Sequence, residues 1–364
     1  MLLTLVDTSH SIKPSPLLLY LQLSRSMCRY LSQSGPLHPK HGGGSVTSTS
    51  HASSVTMLKR TILPPLHPTL AFIVHYSIVI SSTLLVHDHF FASINNTRQP
   101  SSSVDEATLR HRQHQVATFA FIYVVILFGT RYLSSYQAGR LRQHAVLYEL
   151  TWLCNSTLVM GWICFGGIEI LNNYLDGSGD NNNDVLEWFG RRRPLVATSF
   201  CVGASIDQVL WYVDLIVWTI TGTFPVGVMK YLTWKQTLWI DRLTCTHHMW
   251  TIPLFTYAAN EMTLDSYLLS VYVVTIHVLL SRWLTPYCIQ IGDKANIADT
   301  QLYRYLNVNL SHELWRDISF GFLQISEDDP PCWLYLFRLL WRWNMFNFLV
   351  FVGVLSPLHK LIND

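Results

Sequence analysis

The chain has 364 residues, with 25 Lys+Arg, 23 Asp+Glu and 16 His, and a formal net charge of +2. Hydrophobic residues make up 49% and charged residues 13%, about half the charged share of an ordinary soluble domain. That balance argues against intrinsic disorder, against nucleic-acid binding by bulk positive charge, and against a soluble enzyme, whose surface needs more charge. An integral membrane protein is the class that remains.

Residues 1–62 carry six basic side chains and one acid, Asp7, and the stretch 32–54 is rich in Ser, Gly, His and Thr. This is a basic, Ser-rich N-terminal segment with no packed core. Its composition suits an organelle transit peptide or a disordered cytosolic tail. Residues 63–364 read as one multi-span transmembrane domain. A span needs about 20 mostly apolar residues, and seven candidates follow one another: 70–86, 116–130, 145–171, 195–220, 243–259, 264–283 and 332–354. The fourth is long enough to be broken or tilted. A re-entrant turn at 224–227 would add an eighth membrane element. The expected fold is therefore an all-α polytopic bundle of seven or eight transmembrane helices, without visible internal repeats. The distribution of Lys and Arg modestly favours a cytosolic N-terminus. The sequon at Asn95 falls on the expected outside; those at Asn155 and Asn309 do not. Loop 172–194 is Asn/Asp/Gly-rich and ends in Arg191, Arg192 and Arg193, which suit a flanking anchor or lipid headgroups.

The seven cysteines (Cys28, Cys154, Cys164, Cys201, Cys245, Cys288 and Cys332) form no CxxC pair. They read as small apolar fillers, so neither a metal site nor a disulfide framework is expected.

Ionisable groups at membrane depth are expensive and are functional candidates by default. The third span carries Glu149 and Asn155. The fourth carries Asp207 and Asp214, seven apart on one helix face with Trp211 between them. The fifth opens with Asp241, Thr244, His247 and His248, and the last carries Arg338, Arg342, Asn344 and Asn347. Asp241, Thr244 and His248 share one helical stripe. A neutral His248 can take the proton of an attacking hydroxyl, with Glu149, Asp207 or Asp214 as the carboxylate that orients it. The competing reading is a polar helix entrance that meets water. Asp207 and Asp214 could instead pair with Arg338 or Arg342, or carry a proton or cation. His312 and Asp317 fit the H-x4-D pattern of glycerolipid acyltransferases, but the companion F-P-E-G motif is missing downstream.

Two stretches together resemble the fungal and plant glycerophosphocholine acyltransferase family of multi-pass membrane proteins. One is the acid-x-x-aromatic-x-x-Asn pattern from Glu149 through Trp152 to Asn155. The other runs Asp241, Arg242, Leu243, Thr244 to His247 and His248, followed by an apolar run containing Pro253. The resemblance covers at most residues 116–285. It implies acyl transfer from acyl-CoA, a co-substrate rather than a bound cofactor, to a glycerophosphodiester or lysolipid hydroxyl in the endoplasmic reticulum or another organelle membrane. On that reading His248 is the general base and His247 its backup. Asp241 organises the pocket entrance. Glu149, Asn155, Thr244, Asp207 and Asp214 bind substrate, while Lys230, Lys235 and Arg242 meet the CoA phosphates. The partners are membrane lipids and a small-molecule substrate, with no nucleic acid. The same runs are similar to the androgen-induced-gene family of lipid hydrolases. A transporter or channel using Asp207 and Asp214, or a non-enzymatic membrane scaffold, is the alternative.

Overall fold

The structure, a computed structural model, describes residues 66–91, 105–137, 140–175, 188, 193–234, 237–290, 303–306, 308–312 and 332–363. All of them belong to one compact unit, His51–Asp364. The expected N-terminal segment, the sequon at Asn95, Arg191, Arg192, Lys235 and Asp317 lie outside the described residues.

The described chain is helical. In order it forms α1 (Pro68–Phe90), α2 (Glu106–Gln137), α3 (Arg140–Glu149), α4 (Leu153–Trp162), a π segment (Ile163–Gly167), α5 (Ile168–Leu175), α6 (Pro194–Gly203) and α7 (Ser205–Thr221). A 3-10 turn (Lys230–Thr233) leads to α8 (Trp239–Thr244), α9 (His247–Ala258) and α10 (Leu264–Leu284). Two three-residue strands, β1 (Cys288–Gln290) and β2 (Tyr303–Tyr305), pair antiparallel with Cys288 opposite Tyr305. After a 3-10 turn (Val308–Leu310) come α11 (Cys332–Val350), a π segment (Phe351–Leu355) and α12 (Ser356–Asn363).

Five helices are long and apolar enough to cross a membrane: Pro68–Phe90, Glu106–Ser135, Leu153–Tyr174, Leu264–Leu284 and Trp333–Asn363. The pair α6 and α7, bent by 51° at Ala204, makes a sixth if it counts as one span, as the length of segment 195–220 led us to expect. The chain is thus a polytopic membrane protein with five or six such helices among the described residues. Two sequence expectations need correction. The segment 145–171 is not one helix: α3 stops at Glu149, and α4 starts at Leu153. The segment 243–259 is divided between α8 and α9, and the 12 residues of α9 rise only about 18 Å, short of a bilayer core.

Burial shows which helices are central. The Leu153–Tyr174 span is 72% buried, whereas α2 and the last span are 22% buried. Helices α4, α6 and α10 form the middle; α2 packs on α4, α1 on α10, and α7 on α9 and α11. The α6–α10 seam is lined by small polar residues, with Thr198 and Ser266 hydroxyls 3.3 Å apart, so the backbones approach closely. Gly161 is required where α4 meets α9: a Cβ there would come within 2.3 Å of the Phe255 ring. The outer faces carry exposed Leu70, Ile73, Leu85, Phe121, Ile122, Val125, Phe337 and Trp341, a surface suited to lipid.

Each helix break is closed by a dedicated side chain. At the α3–α4 break, the Leu153 N–H donates to Asn309 Oδ1 at 2.7 Å. Asn309 Nδ2 donates to the Thr151 carbonyl at 3.2 Å and to Ser281 Oγ at 2.8 Å. Asn309 holds a left-handed backbone (φ 52), which Asn tolerates better than most residues. Tyr76 Oη donates to the Leu150 carbonyl in the same break at 2.8 Å. At the α6–α7 break, Asn347 Oδ1 accepts from the Ile206 N–H at 3.0 Å, and Asn347 Nδ2 donates to the Gly203 carbonyl at 2.8 Å. At the α8–α9 break, Tyr123 Oη donates to the Thr244 carbonyl at 2.9 Å. After α7, Asp214 accepts from the N–H groups of Val226, Gly227 and Met229 at 2.8, 3.1 and 3.0 Å. The sequons at Asn155 and Asn309 are buried, so neither is open to a glycan.

Arg193 corrects the lipid-headgroup reading for that position. It is buried, donates to both carboxylate oxygens of Asp88 at 3.2 Å, and stacks its guanidinium over Trp188. The Trp188 indole N–H joins the same carboxylate at 2.9 Å. This clasp ties the end of α1 to the start of α6. At the exposed entry to α2, hydrogen bonds from Thr108 to Asp105 hold that carboxyl below its usual range.

Asn309→Ala leaves an N–H and a carbonyl unpaired in an apolar interior, and is expected to lower stability by about 2–4 kcal/mol. Asn347→Ala is expected to do the same at the other break. Asn344→Ala, whose amide bonds only the Leu340 carbonyl of its own helix, should cost less than about 1 kcal/mol. Thermal melting of the detergent-solubilised chain ranks the three.

Candidate active site

The breaks bring three half-helix beginnings towards one place. Cys154 is the second residue of α4, Asp207 the third of α7, and His247 and His248 open α9. In space, ligating atoms of Cys154, His247 and His248 all lie within 4.8 Å of one another. Asp207 Oδ2 lies 3.7 Å from His248 Nδ1. The two imidazole rings are 4.1 Å apart, and the His248 ring stacks on Trp211 at 5.8 Å. The indole thus fixes the plane of His248 while Asp207 faces its edge. A Tyr212 Oη bond to the Met249 carbonyl (2.9 Å) fastens α7 to α9 beside them.

The tautomer of His247 follows from geometry. Its Nδ1 is 2.7 Å from the Thr244 carbonyl, which can only accept, so Nδ1 carries the proton and Nε2 keeps a lone pair. His247 Nε2, His248 Nδ1 and Asn155 Oδ1 are buried and have no hydrogen-bond partner among the described residues.

One flank of the site is charged. Arg131 of α2 donates from Nε to Thr244 Oγ1 at 2.8 Å and from Nη2 to Cys245 Sγ at 3.3 Å. Tyr231 and Cys245 are also paired, at 2.8 Å. Glu149 and Asp241 are the carboxylates nearest in influence to Arg131, whose hydrogen bonds go to Thr244 and Cys245.

The expected site residues are distributed as follows. His247, His248 and Asp207 meet. Asn155 stands at the start of α4, its Nδ2 on the Glu149 carbonyl at 3.2 Å. Thr244 holds Arg131 and back-bonds to the Ile240 carbonyl. Glu149 and Asp241 lie on the Arg131 side. Asp241, Thr244 and His248 do not form one helical stripe, because the chain turns at Cys245 and Thr246 between α8 and α9. Asp214 is corrected from a pocket or ion-pair residue to a loop organiser, since three backbone amides fill its carboxylate. Lys230 is exposed on the 3-10 turn, and Arg242 Nη2 donates to the Trp234 carbonyl at 3.0 Å. His312 is buried between Arg282 and the Thr285 carbonyl, a structural position.

Sequence reasoning missed Arg131, Cys154 and Tyr123. An arginine ending an apolar run was a usable signal for the first. Cys154 looked like Cys164 and Cys201, which do pack in the apolar core; only its contacts separate it from them. A second buried histidine pair, His75 on α1 and His277 on α10, with rings 5.2 Å apart, was also missed.

The fold and site define a polytopic membrane protein in which buried Cys154, His247 and His248 cluster beside a partly buried Asp207. No protein-family model, curated protein or solved structure matches the chain.

Arg131→Gln removes a guanidinium that bonds Thr244 and Cys245 and feels the field of Asp241. It is expected to lower stability by about 1–3 kcal/mol, and adding Asp241→Asn should recover part of the loss. Melting temperatures of the two single variants and the double variant test that coupling.

Proposed function

We propose that the protein is a membrane-embedded acyltransferase that moves an acyl chain from acyl-CoA to a glycerophosphodiester or lysolipid hydroxyl, with Asp207 and His248 as its acid–base pair. The observation that carries this reading is the Asp207 carboxylate 3.7 Å from His248 Nδ1, with the ring held flat against Trp211. The two stretches that resemble the glycerophosphocholine acyltransferases also meet here, through Cys154 and the histidine pair. Membrane transport through Asp207 and Asp214 is less well supported, because Asp214 is spent on a loop.

The chemistry follows from proton balance. His248 takes the acceptor's hydroxyl proton as the oxygen attacks the thioester carbonyl. The C–S bond breaks, and the departing thiolate receives the proton from the imidazolium. Asp207 holds the ring and stabilises its charged form. Lys230 and Arg242 sit where a CoA phosphate could approach, and Lys235 of the same stretch belongs to this proposal. The helices α8 and α9 in series would make a further, broken membrane crossing, which with the turn after α7 gives seven or eight elements. Residence in the endoplasmic reticulum suits acyl-CoA and lysolipid substrates.

Microsomes from acyltransferase-deficient yeast expressing the chain, given labelled acyl-CoA with glycerophosphocholine or a lysolipid panel, are expected to form acylated product. His248→Gln should lose roughly 10²–10⁴-fold in rate at equal abundance. Asp207→Asn should lose at least about tenfold. Wild-type rates from the His248 variant would sink the proposal.

Lys230→Ala combined with Arg242→Ala should raise the KM for acyl-CoA while leaving kcat within about threefold. A fall in kcat at unchanged KM would remove these residues from donor binding.

A further inference from the structure

Cys154, His247 and His248 lie together in the interior. We propose that they bind a zinc-class divalent ion, with Asp207 beside it as a fourth ligand or as the hydrogen-bond partner of His248.

The geometry of the donors is the first argument. Three ligating atoms lie within 4.8 Å of one another, so at most about 1.2–1.5 Å of closure by side-chain rotation brings them to ligand spacing. Bond lengths of about 2.0–2.1 Å to nitrogen and 2.3 Å to sulfur place tetrahedral ligands roughly 3.3–3.6 Å apart. The second argument is preparation of the ligand. His247 spends Nδ1–H on the Thr244 carbonyl and keeps the Nε2 lone pair, the arrangement by which metal-bound histidines are oriented. That Nε2 atom has no partner among the described residues, and its residue is 2% exposed. A neutral imidazole nitrogen left bare in an apolar interior is costly unless something fills it. The third argument is charge. A divalent cation with the Cys154 thiolate and the Asp207 carboxylate sums to zero. A neutral site avoids the penalty that a bare ion would meet among membrane helices.

Donor softness selects the ion. One thiolate and two imidazoles suit zinc and not magnesium or calcium, which prefer all-oxygen sites. The thiol proton is released to water as the ion binds. The inference goes beyond the acyl-transfer proposal and modifies it at one point. In the ion-bound form His248 is a ligand, and Asp207, where it stands beside His248 and not on the ion, is the group left to accept the acceptor's proton.

The test uses the tag-free full chain in lipid nanodiscs. Metal content is measured by mass spectrometry, and cobalt is titrated into the chelator-stripped protein while the thiolate-to-cobalt absorption band is followed. One zinc per chain is expected, with a cobalt band that Cys154→Ser abolishes. His247→Gln should lose the ion as well, and covers the case in which the serine variant does not fold. Asp207→Asn should weaken binding roughly 10–100-fold. Cys201→Ser, in the apolar core, should change neither readout. The site is overturned if wild type takes up no zinc and shows no cobalt band, or if Cys154→Ser keeps the wild-type band. Zinc and the band without acyl transfer would sink only the acyltransferase reading. Acyl transfer by a chain with no ion and no band would sink only the metal site.

Discussion

In hydrocarbon a backbone N–H or carbonyl has no water to fall back on, so a helix can break there only if side chains take over its hydrogen bonds. This chain interrupts its helices repeatedly, between α3 and α4, between α6 and α7, and between α8 and α9. Each interruption is met from a distant part of the sequence. Asn309 closes the first, Asn347 with the Trp343 indole the second, and Tyr123 the third. The turn after α7 obeys the same constraint through Asp214. These polar residues are structural necessities of an interrupted bundle, and they explain much of the buried polarity that otherwise looks like machinery.

The interruptions also place the site. A continuous helix presents only side chains towards its neighbours, whereas a broken one also presents a fresh N-terminal turn. Cys154, Asp207, His247 and His248 all lie in the first turn after a break, and three such turns come together. Half-helix N-termini carry partial positive charge, which favours anionic groups such as a carboxylate, a thiolate or a developing oxyanion. The electrostatics of the backbone and of the side chains therefore point to one location. Arg131 adds a full positive charge at its edge, held by Thr244 and Cys245.

A histidine beside a carboxylate and two histidines beside a thiol are different chemistries built from shared atoms. Both need His248 held in place, which Trp211 does, and both need an acid close to it, which Asp207 supplies. They differ in which group moves a proton. Without an ion, the imidazole does so and the carboxylate orients it. With an ion, the imidazole is fixed and the carboxylate is the remaining acceptor.

The membrane class was legible in the sequence, because run length and the scarcity of charge follow directly from the need to fill a bilayer with apolar side chains. The bent span at 195–220 was legible too, since its length exceeds what a straight crossing needs. His248 was visible as an ionisable group at membrane depth. Its partner was not fixed by spacing: Asp207, Asp214 and Glu149 were equal candidates on sequence alone, and only packing of α7 on α9 brought Asp207 close while turning Asp214 to backbone amides. The same holds for Cys154, identical in local context to cysteines that merely fill space, and for Asn309, which bonds residues more than 150 positions away. Hydrophobicity is a local property and is written along the chain. Hydrogen-bond satisfaction at a break is a relation between distant segments, so it is decided only when the helices have packed.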